Sequence, residues 1–228
     1  MKLFVIEGLD GAGKSTQIKL LKDFFINQGI TCEYLHFPRT ATPYFGELIA
    51  RFLRGEFGTI NEVDPYLVAM LYAGDRKDAS ELINSWLNKG NIVILDRYTY
   101  SNIAYQCAKL PDNRQQEKLI NWILKLEFDH FAIPRPDLNI FLDVPFNFTE
   151  TKLTALRTGN DRTYLNGGYD IHESSLAFQK KVRNMYLYIA EKDKRLAVLN
   201  CSKKTGEMLF PEDIFEKIID LIRLHNLL

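Results

Sequence analysis

The segment at residues 8–15 limits the possible folds of this chain more than any other feature. It reads GLDGAGKS and fits the pattern G-x-x-x-x-G-K-[ST]. The apolar run Leu3–Ile6 precedes it, and a helical stripe follows it, formed by Ile18, Leu21 and Phe25. A strand, a glycine-rich turn and a helix in this order predict a phosphate-binding loop at the helix N-terminus. The chain is therefore expected to bind a nucleoside triphosphate.

The chemistry of phosphate binding explains the residues of this loop. Its glycines let the backbone bend so that successive N–H groups point at phosphate oxygens. Lys14 would place a positive charge near the β- and γ-phosphates, and Ser15 would offer a hydroxyl ligand to Mg²⁺. We expect the triphosphate to contact the whole loop, which consists of Gly8, Leu9, Asp10, Gly11, Ala12, Gly13, Lys14, Ser15 and Thr16.

Strand and helix patterns alternate along the rest of the chain. Apolar runs predict further strands, separated by helical patterns, at Thr31–Phe37, Asn91–Leu95, Leu138–Val144 and Leu196–Leu199. This alternation predicts an α/β fold, a P-loop three-layer α/β/α domain with a five-stranded parallel sheet. A polar, glycine-rich stretch predicts a mobile lid at about residues 157–172. No linker or internal repeat is visible, so residues 1–228 are expected to form a single domain.

Composition and charge disfavour several classes of function. The chain has 29 Lys and Arg against 29 Asp and Glu, whereas proteins that bind nucleic acid non-specifically usually have a basic excess. No stretch has the length of a membrane span. Three cysteines without CxxC spacing indicate free thiols in a reducing compartment. We expect a cytoplasmic protein with no membrane and no nucleic-acid partner.

The residues that follow the predicted strand Asn91–Leu95 help to distinguish between classes of phosphate-loop protein. A GTPase should carry an N-K-x-D motif, but the nearest string, NKGN at residues 88–91, lacks the aspartate. An ATPase motor or switch usually ends this strand in Asp-Glu, whereas here Asp96 is followed by Arg97. An arginine at this place suits the binding of an anionic acceptor and does not activate water. A small-molecule kinase is therefore favoured.

Three arginines support this interpretation. Arg39 follows a predicted strand, Arg76 lies in a long predicted helix, and Arg97 follows another strand. Ligands of open α/β folds bind at the carboxyl edge of the sheet, which each of these side chains could reach. Together they would hold a second phosphate group.

Six segments carry a resemblance to a known family: EGLDGAGKST, FPR, LYAGDR, DRYTYSNIAYQ, PRPDLNIFLDVP and YDIHE. Together they resemble the thymidylate kinase family, which phosphorylates dTMP to dTDP with ATP, over nearly the whole chain. The phosphate loop is shared with many families, whereas Asp10, DRY and the following S-x-x-A-Y-Q are more specific. The resemblance implies that the loop binds ATP, that Mg²⁺ is the catalytic metal, and that the chain forms a homodimer.

The resemblance also implies roles for single residues. Asp10 would accept a hydrogen bond from the 3′-hydroxyl of the acceptor and help Ser15 to hold the metal, on which Asp96 would act through water. Arg39 and Arg97 would hold the acceptor phosphate. The other dTMP-binding residues would surround the base and sugar, with Arg76 at the thymine edge; they are Phe37, Leu53, Tyr72, Arg76, Ser101, Tyr105, Gln106 and Tyr169.

One departure from part of the family concerns the catalytic arginine. One branch has an arginine in the phosphate loop where this chain has Gly11. The other branch takes its arginines from the lid, where Arg157 and Arg162 are the candidates. The catalytic set implied by the resemblance is Lys14, Arg97, Asp10, Arg157 and Arg162.

Two alternatives remain open at this point. A deoxynucleoside kinase would accept thymidine, which has no phosphate for Arg39 and Arg97 to hold. A nucleotide-binding switch would bind ATP and transfer nothing.

Overall fold

A parallel sheet lies in the middle of the molecule. The computed structural model describes residues 2–154, 164–165, 170–172 and 175–228, and in these ranges five strands form one sheet in the order β2-β3-β1-β4-β5. Every neighbouring pair is parallel. The strands, each within two residues of its predicted bounds, are β1 Lys2–Gly8, β2 Cys32–His36, β3 Ile92–Asp96, β4 Leu138–Asp143 and β5 Leu196–Asn200. The predicted α/β class with a five-stranded parallel sheet is confirmed.

Helices connect the strands and cover both faces of the sheet. The fifth helix continues as a π-helix over Lys125–His130. The helices are α1 Lys14–Asn27, α2 Phe45–Leu53, α3 Pro65–Asn88, α4 Thr99–Cys107, α5 Asn113–Leu124, α6 Phe146–Thr154, α7 Leu176–Lys192 and α8 Pro211–Leu224.

The side chains of β1 show why the sheet has a helix layer on each face. Alternate residues of a strand point to opposite faces. Phe4 and Ile6 pack with the apolar residues of α1 and α8, whereas Leu3 and Val5 pack with those of α3. All four are at most 1% exposed. An uninterrupted apolar run is therefore typical of a strand with helices on both faces.

The start of α3 follows a local signal in the sequence. The Asp64 carboxylate accepts hydrogen bonds from the N–H groups of Tyr66 (2.8 Å) and Leu67 (3.3 Å), and Pro65 occupies the first helical position. Proline has no N–H to leave unpaired there, and the aspartate satisfies two of the N–H groups at the helix start. The long helix that carries Arg76 thus begins where its sequence predicts.

Strand order brings the motif-bearing loops to one edge. Strand β1 lies between β3 and β4, with Ile6 opposite Asp96 and Gly8 opposite Leu142. Residue His36 at the end of β2 also lies opposite Asp96. The loops that follow β1, β2 and β3 therefore meet at the carboxyl edge, where ligands bind in this class of fold.

Part of the predicted lid lies outside the described residues. Arg157, Arg162 and Tyr169 belong to that part, whereas 164–165 and 170–172 are described. Within the described ranges, no helix combines the length and the apolar character needed to cross a membrane.

Gly46 is expected to be essential for the contact between α2 and the loop that carries Arg39. A methyl group at Gly46 would overlap with the backbone carbonyl oxygen of Arg39 and lie 2.5 Å from Thr42 Oγ1. We expect Gly46→Ala to lower the free energy of unfolding by roughly 1–3 kcal/mol, because backbone has to move. Urea unfolding measures the change.

Gly74→Ala on α3 is the matched control. The atoms nearest to its methyl group would be ring atoms of the Phe45 side chain, which is 36% exposed and can turn aside. The loss of stability should therefore be smaller than for Gly46→Ala. Wild-type stability of Gly46→Ala would contradict the argument.

Candidate active site

A cavity of about 660 Å³ opens at the carboxyl edge of the sheet. Its volume is typical of a small-molecule site, and its position is the one expected for this fold. The lining includes nearly all of the predicted acceptor and metal residues and the loop lysine, namely Asp10, Lys14, Ser15, Phe37, Arg39, Leu53, Tyr72, Arg76, Asp96, Arg97, Ser101, Tyr105 and Gln106. The tertiary structure thus brings residues from β3, from α1 to α4 and from three loops to one place.

The phosphate loop is held in shape by glycine conformations and by the core. Gly11 (φ 77°) and Gly13 (φ 83°) adopt left-handed backbone conformations that other residues rarely take. Leu9 and Ala12 are each 1% exposed and anchor the loop in the core. The Lys14 ammonium donates to the carbonyl oxygen of Leu9 (3.1 Å). The loop therefore has a defined conformation at the N-terminus of α1, where backbone N–H groups favour the binding of an anion.

Arg97 joins the phosphate loop to α4. Its Nη2 donates to Asp10 Oδ1 (2.8 Å) and its Nη1 to Ser101 Oγ (3.2 Å). The guanidinium lies 5.3 Å from the ring centroid of Tyr105, whose hydroxyl donates to Asp10 Oδ2 (2.9 Å). The backbone of Arg97 is left-handed, with φ 67°, and this conformation turns the chain sharply after β3. Asp10 and Arg97 thus join the phosphate loop to the turn after β3 at the cavity.

A fully buried carboxylate lies beneath Arg97. Glu7 accepts hydrogen bonds from the N–H groups of Tyr98 (3.0 Å) and Ser101 (3.2 Å), and from the hydroxyls of Ser101 (2.5 Å) and Tyr186 (2.9 Å). Burial raises the pKa of Glu7, although these bonds and the Arg97 charge act against it. Glu7 therefore caps the first turn of α4 from a neighbouring strand, and the Ser101 hydroxyl, predicted to face the base, is engaged in this network.

Asp96 at the end of β3 offers a free carboxylate oxygen. Its Oδ2 lies 3.3 Å from His36 Nδ1, and its buried Oδ1 has no hydrogen-bond partner among the described residues. Burial raises the pKa of Asp96, but the charges of Lys14 and Arg97 and the contact with His36 hold it below its usual value. The carboxylate is therefore ionised at neutral pH.

The oxygen donors at this place suit Mg²⁺. The hydroxyl of Ser15 and the Asp96 carboxylate both line the cavity, and Mg²⁺ prefers oxygen ligands. Among the described residues, no three acidic, histidine or cysteine side chains form a metal cage. Mg²⁺ that is shared with nucleotide phosphates needs only one or two protein carboxylates. The residues present therefore fit this metal.

Arg39 is held at the cavity by aspartates of α3. Its backbone N–H donates to Asp75 Oδ2 (2.9 Å), and its Nε donates to Asp75 Oδ1 (2.8 Å). Its Nη2 donates to the Asp75 carbonyl (2.8 Å) and to Asp78 Oδ2 (2.5 Å). Asp75 is fully buried, so it fixes both the main chain and the side chain of Arg39.

Arg76 lies deeper and has a different partner. It is 1% exposed, and its Nε and Nη2 donate to the two carboxylate oxygens of Glu127, each at 2.6 Å. Asn102 also donates to Glu127 and lines the cavity. Neither Asn102 nor Glu127 was among the residues predicted from the sequence. Asn102 stands within the DRYTYSNIAYQ segment, which was a usable signal, but Glu127 follows α5 with no motif around it.

His172 is a further lining residue that the sequence analysis missed, although it lies in the YDIHE segment. Its ring centroid is 4.9 Å from that of Tyr105 and 5.5 Å from that of Phe52, and its Nε2 has no partner among the described residues. Burial, together with the charge of Lys109, lowers the pKa of His172 well below 6.5. The imidazole is therefore neutral at physiological pH.

Lys109, whose charge acts on His172, gives the stability of the protein a testable dependence on pH. Its Nζ lies 4.9 Å from the Phe52 ring centroid, and burial lowers its pKa from 10.5 to about 7. Between these values the unfolded chain holds a proton that the folded chain lacks, so the stability of the wild type rises with pH. We expect Lys109→Met to be more stable than the wild type by roughly 2–4 kcal/mol below pH 7, with a smaller gain at higher pH.

Urea unfolding across this pH range measures the effect. The exposed Lys118 on α5 supplies the control, because Lys118→Met should leave the pH dependence of stability unchanged. An equal gain from Lys109→Met at acidic and alkaline pH would rule out the buried ammonium as its cause.

Comparisons with known proteins agree with this site. The family model "Thymidylate kinase" matches residues 6–209. A probable thymidylate kinase of Pyrococcus abyssi is 33% identical over 226 residues, which cover 98% of this chain and 96% of the relative. The thymidylate kinase of Mycobacterium tuberculosis is 37% identical over 142 residues, which cover 62% of this chain and 65% of that protein.

A solved structure extends the agreement to the fold. The thymidylate kinase of Candida albicans aligns over 99% of this chain and 92% of its own, with a TM-score of 0.73 and 27% identity. The family predicted from the motifs is confirmed. A phosphate loop joined through Asp10 to an arginine after β3, on a fold shared along its whole length, identifies the chain as a member of the thymidylate kinase family.

Proposed function

We propose that this protein is an ATP-dependent dTMP kinase, which transfers the γ-phosphoryl group of ATP to the phosphate of dTMP and forms dTDP. Membership of the thymidylate kinase family supports this activity. The observation that carries it is the contact of Arg97 with Asp10, because it sets a cationic group for an acceptor phosphate directly against the donor loop.

The donor is bound by the phosphate loop. Backbone N–H groups of residues 8–16 and the Lys14 ammonium contact the phosphates of ATP. Ser15 would hold Mg²⁺ directly and Asp96 through water, with Asp10 as a further oxygen ligand. Mg²⁺, when bound, neutralises phosphate charge and orients the γ-phosphoryl group. Lys14 and Asp96 lie close enough for their charges to interact, which keeps the carboxylate ionised beside the phosphates.

The acceptor is bound in the rest of the cavity. Arg39 and Arg97 hold the phosphate of dTMP, and Asp10 accepts a hydrogen bond from the 3′-hydroxyl of its sugar. Tyr105 packs on the deoxyribose. Arg76 and Gln106 lie at the polar edge of the thymine. The side chains that surround the rest of the base are those of Phe37, Leu53 and Tyr72.

Transfer then depends on position and charge. Phosphoryl transfer needs its two oxygens in line and positive charge on the migrating group, and it makes little demand on a general base. Arg97 and Lys14 supply charge from the described part of the chain. Arg157 and Arg162 remain the predicted lid arginines and Tyr169 a predicted substrate contact, and all three lie outside the described residues.

Three further features belong to the proposal. Residues 1–228 act as one domain, the protein works in the cytoplasm, and two copies form a homodimer.

The cytoplasmic location is supported by the three free cysteines, which suit a reducing compartment. On α3, the apolar side chains of Leu67 (61% exposed) and Met70 (45% exposed) support a subunit contact, because exposed apolar neighbours are typical of interfaces.

The choice of acceptor tests the activity. The purified protein is supplied with ATP and Mg²⁺, and ADP release is measured with dTMP, dUMP, thymidine or AMP as the acceptor. We expect ADP release with dTMP, because Arg39 and Arg97 would bind the phosphate group of this acceptor. Release with thymidine would instead favour a deoxynucleoside kinase, and no release with any acceptor would favour a nucleotide-binding switch.

Two substitutions test the catalytic charges. Lys14→Ala and Arg97→Ala should each lower kcat by about 100-fold or more, because each removes positive charge from the transferred group. Circular dichroism checks that both variants fold. Arg135→Ala removes an exposed arginine, paired with Asp129 at 3.1 Å, and should keep normal turnover. Normal kcat in either Lys14→Ala or Arg97→Ala would contradict the mechanism.

A further inference from the structure

Arg39 has two carboxylate partners on α3, and they differ in how firmly they are held. The side chain of Asp75 is 1% exposed, and it accepts hydrogen bonds from the backbone N–H of Arg39 (2.9 Å) and from its Nε (2.8 Å). Asp78 lies one helical turn later, its side chain is 59% exposed, and its Oδ2 accepts from Arg39 Nη2 at 2.5 Å. The contact with Asp75 is therefore part of the protein interior, whereas water can replace the contact with Asp78.

These contacts leave the Arg39 guanidinium without a complete edge for a phosphate group. A guanidinium has one N–H group on Nε and two each on Nη1 and Nη2. A bidentate pair with a phosphate uses two neighbouring N–H groups, which belong either to Nε and Nη2 or to Nη1 and Nη2. The two N–H groups of Nη2 have two acceptors, the carbonyl oxygen of Asp75 (2.8 Å) and Asp78 Oδ2. Because both edges include Nη2, a phosphate can bind with two hydrogen bonds only after one acceptor leaves.

Asp78 is the acceptor that can leave. The carbonyl oxygen of Asp75 belongs to the main chain of α3, and its buried carboxylate would be costly to leave without a partner. An exposed carboxylate regains water when its ion pair breaks, so such pairs contribute little to stability. A turn of the Asp78 side chain into solvent frees an N–H group of Nη2 beside those of Nη1. Arg39 lines the cavity, so this edge can then serve an acceptor phosphate.

The charges around Arg39 favour the same conclusion. With Asp78 in contact, one positive charge faces two negative charges, and this group repels a phosphate dianion. With Asp78 in solvent, the charge of Arg39 is balanced by Asp75 alone, and this repulsion falls because water screens the distant carboxylate.

We propose that Asp78 competes with the acceptor phosphate for Arg39 and thereby weakens the binding of dTMP. Its side chain occupies Nη2 in the free protein and moves into solvent when the phosphate binds. A nucleoside has no phosphate, so Asp78 has no effect on the binding of thymidine. The inference rests on the proposed function and adds to it a residue that sets the affinity of the acceptor site.

Asp78→Ala tests the inference by ligand binding in the absence of ATP. Dissociation constants of dTMP and thymidine are measured by calorimetry for the wild type and the variant. We expect the Kd of dTMP to fall about twofold to fivefold, the range that exposed ion pairs span, and the Kd of thymidine to stay unchanged. KM for dTMP should fall as well, with little change in kcat. Alanine is the strongest helix former, so an exposed position of α3 accepts it without loss of the fold.

Glu81→Ala is the matched control. Glu81 is exposed on the same helix, one turn after Asp78, and its replacement removes the same charge. In the described part of the chain, the carboxylate partners of Arg39 are Asp75 and Asp78. Glu81→Ala should therefore leave both dissociation constants unchanged. Size-exclusion chromatography checks that both variants keep the oligomeric state of the wild type, because α3 also carries the proposed subunit contact.

Several results would overturn the competition. An unchanged Kd of dTMP in Asp78→Ala is one, and an equal effect on thymidine or an equal effect of Glu81→Ala is another. A higher Kd of dTMP would instead show that Asp78 orients Arg39 for the phosphate.

Turnover by the wild type separates this inference from the proposed function. A wild type that binds dTMP without phosphorylating it would overturn the proposed function, while the comparison of dissociation constants would still decide the role of Asp78. A wild type that binds thymidine as tightly as dTMP would overturn the inference, because Arg39 would then hold no acceptor phosphate.

Discussion

The ion pair between Arg97 and Asp10 is the contact on which the site depends. It connects the phosphate loop after β1 with the turn after β3, so the positions of these two segments depend on each other. Glu7 supports it from below through Ser101, which holds Arg97 Nη1. Phosphoryl transfer gains most from such positioning, because misplacement of either phosphate removes the in-line approach. Glu7 thereby helps to fix the position of Arg97 without lining the cavity itself.

Each cavity arginine in the described part of the chain has a carboxylate partner. Arg39 pairs with Asp75, Arg76 with Glu127, and Arg97 with Asp10. Unpaired charges would be costly to bury, and unpaired side chains would move freely. Pairing therefore gives a cavity whose guanidinium groups are held in place before any ligand arrives. It also reconciles a site for two phosphorylated ligands with a chain of zero formal net charge.

Much of the fold and part of the site could be predicted from local patterns. Apolar runs predicted all five strands, and the Asp64 cap with Pro65 marks the start of α3, because strand periodicity and helix capping depend on neighbouring residues. Asn102 and His172 were missed although they lie within recognised segments. Glu127 could not be found, because only the approach of the chain after α5 to α3 and α4 gives it its partners Arg76 and Thr99.

The amino-acid sequence alone determined the phosphate loop, the parallel α/β class and the family, since each rests on residues that are adjacent or regularly spaced. Only the tertiary structure decided which charges are paired and which polar atoms stay unpaired at the cavity. Ser101 illustrates the difference: the resemblance implied that it lies at the base and sugar of dTMP, and only the tertiary structure shows that its hydroxyl is bound to Glu7 and Arg97. Hydrogen bonds between groups far apart in sequence have no local pattern, and they appear only once packing brings strands and helices together.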